Sequence, residues 1–139
     1  MIFAVDFDGT IVKHRYPEIG EALPGALDVL RTLLAKGHKV FLYTMRGRPR
    51  NEEDRDLLSE AVKWLEDNGV EMTRINRSPA QFSTSLKQHA DLYLDDKNFG
   101  TPTRMYHGEE IFDWEAVANY LLQIGILDTS EYLKILKNF

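Results

Sequence analysis

The chain has 139 residues, of which 43% are hydrophobic and 28% charged; its formal net charge is −5 and it has no cysteine. This length suits a single domain, residues 1–139, with a real core; the missing cysteines exclude disulfides, thiolate metal sites and cysteine nucleophiles. The acidic balance disfavours a polynucleotide partner, and no stretch approaches the roughly 18 apolar residues of a membrane span. The N-terminal run Met1-Ile2-Phe3-Ala4-Val5-Asp6 has neither a basic segment nor a cleavage site, so a cytoplasmic protein is expected rather than an exported one.

Residues 2–5 are apolar and β-prone and stop at Asp6, the pattern of a buried strand. Residues 10–23 read as a loop. Pro24-Gly25 opens a helical pattern with Leu27, Leu30, Leu33 and Leu34 at helical spacing, and Gly37 closes it. His38-Lys39-Val40-Phe41-Leu42-Tyr43 is a second strand ending at Thr44. After a polar loop at 45–51, a long helix is expected over 52–67, closed by Asn68-Gly69. A third strand is expected over 70–75. Residues 76–90 read as irregular or as one short helix near 83–89. Asp91-Leu92-Tyr93-Leu94 is a fourth strand ending at Asp95-Asp96, residues 103–106 a weak fifth, and helices follow at about 113–124 and 129–138.

Strands alternating with helices imply an α/β fold with crossover units and a mostly parallel, doubly wound sheet flanked by helices. Asp6, Thr44 and Asp95 each fall just past the C-terminal end of an expected strand, the edge at which open parallel sheets bind ligands. Asp6 and Asp8 are two residues apart, so an extended segment would turn both carboxylates to one pocket. Carboxylates that close repel one another unless a cation or proton lies between them. Asp6, Asp8, Asp95 and Asp96, with no thiol or histidine cluster, suit a hard cation, and Mg2+ fits this donor set best. A carboxylate can attack phosphorus. The charge that develops needs donors, for which Thr44 and Lys87 are the candidates.

Val5-Asp6-Phe7-Asp8-Gly9-Thr10-Ile11-Val12 resembles the first motif of the haloacid dehalogenase-like (HAD) hydrolases, most of which are phosphatases. Phe41-Leu42-Tyr43-Thr44, Lys87 and Leu92-Tyr93-Leu94-Asp95-Asp96 match that family's later motifs in order. The resemblance implies a Rossmann-like core and a Mg2+-dependent phosphomonoester hydrolase working through an aspartyl-phosphate. It makes Asp6 the nucleophile and a metal ligand. Asp8 would be the acid and base, with its backbone carbonyl on the metal. Thr44 and Lys87 would hold the phosphate, and Asp95 would bind the metal with Asp96 beside it. It also leaves no room for a cap domain in residues 11–23 or 45–86. Transfer of the phosphoryl group to an acceptor other than water, as in phosphomutases, would use the same motifs. A non-enzymatic binding module on this fold would be expected to lack a motif aspartate.

Lys87 competes for its role with Arg77 and Lys97, and Asp96 is either a ligand or a partner that orients one. Arg46, Arg48 and Arg50 form either a solvated basic loop or a clamp for an anionic end of the substrate. The expected partner is a phosphorylated small molecule, with no membrane. The apolar C-terminal residues Tyr132, Leu133, Ile135, Leu136 and Phe139 either pack on the domain or form a homo-oligomer contact.

Overall fold

A computed structural model describes all 139 residues. Four strands, β1 (Ile2–Val5), β4 (Lys39–Leu42), β5 (Arg74–Ile75) and β6 (Leu92–Leu94), form one parallel sheet in the order β5-β4-β1-β6. β2 (Val12–Arg15) and β3 (Glu18–Ala22) form an antiparallel hairpin, as do β7 (Thr103–Tyr106) and β8 (Glu109–Phe112). The helices are α1 (Ala26–Ala35), α2 (Leu57–Asp67), α3 (Trp114–Gln123) and α4 (Thr129–Leu136). None is long and apolar enough to cross a membrane.

Alternation divides the sheet residues between two faces. Phe3, Val5, Val40 and Leu42 enter the main core with Leu30 and Leu33 of α1, Ala61 and Leu65 of α2, Leu121 of α3 and Ile135 of α4. Tyr132 and Phe139 pack against that core, so the C-terminal residues mostly close the domain, although Leu133 stays exposed. The other face carries Ala4 and Phe41, both buried, and Tyr93. Residues 76–90 run beside it irregularly: Gln88 accepts from the Ser78 amide at 2.8 Å, and its carbonyl accepts from the Tyr93 hydroxyl. The α/β class and parallel sheet therefore match the sequence reading, while the β5–β6 crossover has no helix of its own.

Several expected boundaries move for local reasons. The Asp56 carboxylate accepts from the Ser59 amide at 3.0 Å and caps α2, which therefore starts at Leu57 and not at 52. The strand expected over 70–75 shrinks to β5 because its first residues serve other bonds. Val70 N–H donates to Leu65 O at 2.9 Å, closing α2, and the Thr73 hydroxyl accepts from the Val40 amide at 3.1 Å. The 103–106 strand pairs with β8 and not with the main sheet. His107 (φ 49°) and Gly108 (φ 80°) form the tight turn between them, and consecutive positive φ values match the twist of a two-residue hairpin. Residues 10–23, expected as a loop, hold the β2–β3 hairpin.

The register places the site. Val5 pairs with Leu42 on one side and with Leu94 on the other. Strands β4, β1 and β6 thus end level, and Asp6, Thr44 and Asp95 leave the sheet at one edge. Strand order also reverses between β1 and β6, because the chain moves from β1 to β4 and β5 and then returns to the opposite side. Such a reversal opens a crevice at the carboxyl ends of the strands.

Candidate metal-binding and catalytic site

At that crevice one carboxylate oxygen from each of Asp6, Asp95 and Asp96 lies within 4.8 Å of the others. Thr10, fully buried, ties the two loops together. Its hydroxyl accepts from the Asp96 amide at 2.9 Å and lies 3.2 Å from Asp6 Oδ2 and 3.4 Å from Asp96 Oδ1, so its proton serves one carboxylate at a time. Trp114 Nε1 donates to the Thr10 carbonyl at 2.6 Å, anchoring the turn to α3. Gly9, at φ +85°, makes the close approach possible: a Cβ there would lie 2.9 Å from Asp96 Cγ. Asp95 Oδ1 accepts from the Lys97 amide at 2.8 Å, and the Asp95 carbonyl accepts from the Thr101 hydroxyl at 2.7 Å.

These contacts set the electrostatics. Burial, followed by the charge of Asp95, pushes the Asp6 carboxyl up from 3.8 to about 7. The trio thus carries more negative charge than it can hold alone, and its donors are all hard oxygens. Both properties fit Mg2+.

Asp8 lines the same cavity, of about 420 Å³, as the trio, but its carboxylate is engaged elsewhere. Arg46 Nε donates to Asp8 Oδ2 at 2.8 Å and Nη2 to Oδ1 at 2.9 Å. The acidic group that could hold a metal is therefore Asp6, Asp95 and Asp96, and the Asp8 carboxylate, included with them on sequence grounds, is not part of it. The same bonds correct the reading of Arg46. It is neither a solvated loop residue nor a free substrate clamp: it is 1% exposed, and its remaining bonds go to the Glu18 and Leu57 carbonyls at 3.1 and 3.2 Å.

No family model matches the chain, and no curated protein matches it. Among solved structures, a conserved protein coded by a locus of Bacteroides thetaiotaomicron is 34% identical over 94% of this chain and 95% of that chain, with a TM-score of 0.69. The chain belongs to the family of that conserved protein. This membership supports the α/β architecture; the chemistry of the site rests on its own residues.

The cavity is also lined by Thr44, Arg46, His14, Tyr16, Met45 and Lys97. The Thr44 hydroxyl accepts from the Arg46 amide at 3.1 Å, which leaves its own proton free. Asn76 fixes this loop, accepting from the Thr44 amide at 2.9 Å through Oδ1. Lys87 does not reach the site. It lines a separate hollow with Phe82, His89 and Tyr93, because residues 76–90 lie along the sheet face and not at its carboxyl edge. Lys97 lies there instead, exposed, with Nζ 3.8 Å from Asp96 Oδ2. Arg48 is exposed and pairs with Asp56 at 3.5 Å, outside the cavity, so the structure gives it no place beside the acidic trio. Thr10, Asn76 and Trp114 were not singled out from sequence as site residues. Thr10 belongs to the first motif and was within reach of that reading, whereas Asn76 and Trp114 are linked to the site only by tertiary contacts.

Proposed function

We propose that this protein is a Mg2+-dependent phosphomonoester hydrolase with a capless, doubly wound, Rossmann-like core of the haloacid dehalogenase type. The observation that carries the reading is the convergence of Asp6, Asp95 and Asp96 at the strand-order reversal, with Asp8 and Thr44 in the same cavity.

In this reading an Asp6 oxygen attacks phosphorus, forming an aspartyl-phosphate as the ester P–O bond breaks, and Asp8 gives its proton to the departing oxygen. Water then attacks the same phosphorus, Asp8 takes its proton, and the bond to Asp6 breaks to release inorganic phosphate. Thr44 Oγ1 and Lys97 Nζ hold the phosphoryl oxygens, with Lys97 taking the role expected of Lys87. Asp6, Asp95 and Asp96 would hold Mg2+, which would supply charge neutralisation between the nucleophile and the phosphate. His14 and Tyr16 from the β2–β3 hairpin, with Met45, wall the cavity where a cap would otherwise sit, and they face the leaving group of a phosphorylated small molecule.

The test is a panel of phosphate esters assayed with Mg2+. Wild type should hydrolyse at least one ester, excess chelator should stop it, and Asp6→Asn should lose activity by far more than tenfold while keeping its fold. Full activity in chelator or in Asp6→Asn would refute the reading.

A further inference from the structure

Arg46 is the one arginine among the buried polar residues of the molecule. Removing a guanidinium from water costs several kcal/mol unless its partners are well placed, and a leucine would fill a purely structural site at less cost. Its contacts join three parts of the chain. It grips both oxygens of Asp8, as above, and bonds the Glu18 carbonyl of the β2–β3 hairpin and the Leu57 carbonyl at the start of α2. Its guanidinium carbon lies 5.2 Å from the Phe7 ring centroid and 5.4 Å from that of Tyr16. Tyr16 walls the cavity into which Asp8 opens.

We infer that Arg46 is a positioning residue: it aims the Asp8 carboxyl at the leaving-group oxygen and locks that aim to the β2–β3 hairpin that walls the substrate cavity. The inference rests on the hydrolase reading above. Bidentate pairing fixes the plane of the carboxyl as well as its distance, which lysine cannot do. Arg46 lines the same cavity, but it is almost fully buried and its Nε, Nη1 and Nη2 are all bonded to protein groups, so it acts through Asp8.

The experiment compares phenyl phosphate, whose departing oxygen needs a proton, with 4-nitrophenyl phosphate, whose oxygen leaves readily without one. Arg46→Lys should lower kcat on phenyl phosphate by about tenfold or more, within the range a positioned acid contributes. On 4-nitrophenyl phosphate it should lower kcat by less than about threefold, with KM changed less than about threefold on both. Equal losses on the two esters would show a strut for the fold and overturn the inference. So would a raised KM with unchanged kcat, which marks a substrate contact, or kinetics like wild type. If Arg46→Lys does not fold, Arg46→Gln takes its place; if neither folds, Arg46 is a structural strut and the inference falls. Wild type inactive on every ester would instead overturn the hydrolase reading, and this inference with it.

Discussion

Replacing Asp6 with asparagine should change how stability depends on pH and on Mg2+. In the metal-free protein, burial and Asp95 raise the Asp6 carboxyl from 3.8 to about 7. Between those values the folded state holds a proton that the unfolded state has released, so stability falls as pH rises through this window. A shift of about 3 pH units at 1.36 kcal/mol per unit sets an upper limit of about 4 kcal/mol. The carboxylate opens on a cavity, and solvent screening reduces this to about 1–2 kcal/mol, or roughly 3–7 °C in Tm for a chain of this size. Asp6→Asn cannot ionise, so the metal-free variant should melt above wild type by nearly that amount at pH 8, by about a third of it at pH 5, and level with it only near pH 3. Mg2+ should act in the opposite sense, because it competes with the proton. At about ten times its Kd it should add about 1.4 kcal/mol to wild type at pH 8, little at pH 5, and little to the variant at either pH. Thermal melts of both proteins at the two pH values, in chelator and in Mg2+, provide the readout. Parallel Tm-against-pH curves for the two proteins, or an equal Mg2+ shift at both pH values, would refute the argument that the trio is strained by its own charge.

Three further substitutions test the placement of the site. Lys97→Ala should lower kcat/KM on an aryl phosphate about tenfold or more, the loss of one charged contact to phosphate, whereas Lys87→Ala should change it less than twofold; steady-state kinetics decide, and the reverse order would restore Lys87 to the role. Gly9→Ala should destabilise the fold by about 1–3 kcal/mol through its positive φ and should weaken Mg2+ binding by displacing Asp96, read by denaturant melts and by calorimetric titration of Mg2+.

Most of the site was legible because its residues follow short apolar runs. Asp6, Thr44 and Asp95 were placed at one edge from strand ends alone, and the level register of Val5, Leu42 and Leu94 puts them there. Asp96 was placed beside Asp95, and the structure adds it to the trio. The reading was weaker where a residue's role depends on what packs over it. Arg46 looks like part of a basic surface loop, since Arg48 and Arg50 beside it are exposed, and only the tertiary fold brings Asp8 and the Glu18 carbonyl to its guanidinium. Lys87 is expected because it falls in motif order between Thr44 and Asp95, but an irregular crossover carries no period that would fix its direction. The β2–β3 hairpin and strand β8 are not legible, because these strands are short and largely polar on one side; β7 coincides with the weak strand expected over 103–106, and His107-Gly108 is the local clue to its turn.

The central claim is that Asp6 carries the phosphoryl group. Rapid acid quench during turnover of an aryl phosphate with Mg2+, followed by borohydride reduction, converts an aspartyl-phosphate to homoserine. Peptide mass spectrometry should then find homoserine at position 6 in wild type, and none when substrate is omitted or Asp6→Asn is used. Steady turnover with no modification at Asp6, or homoserine appearing instead at Asp8, Asp95 or Asp96, would contradict it.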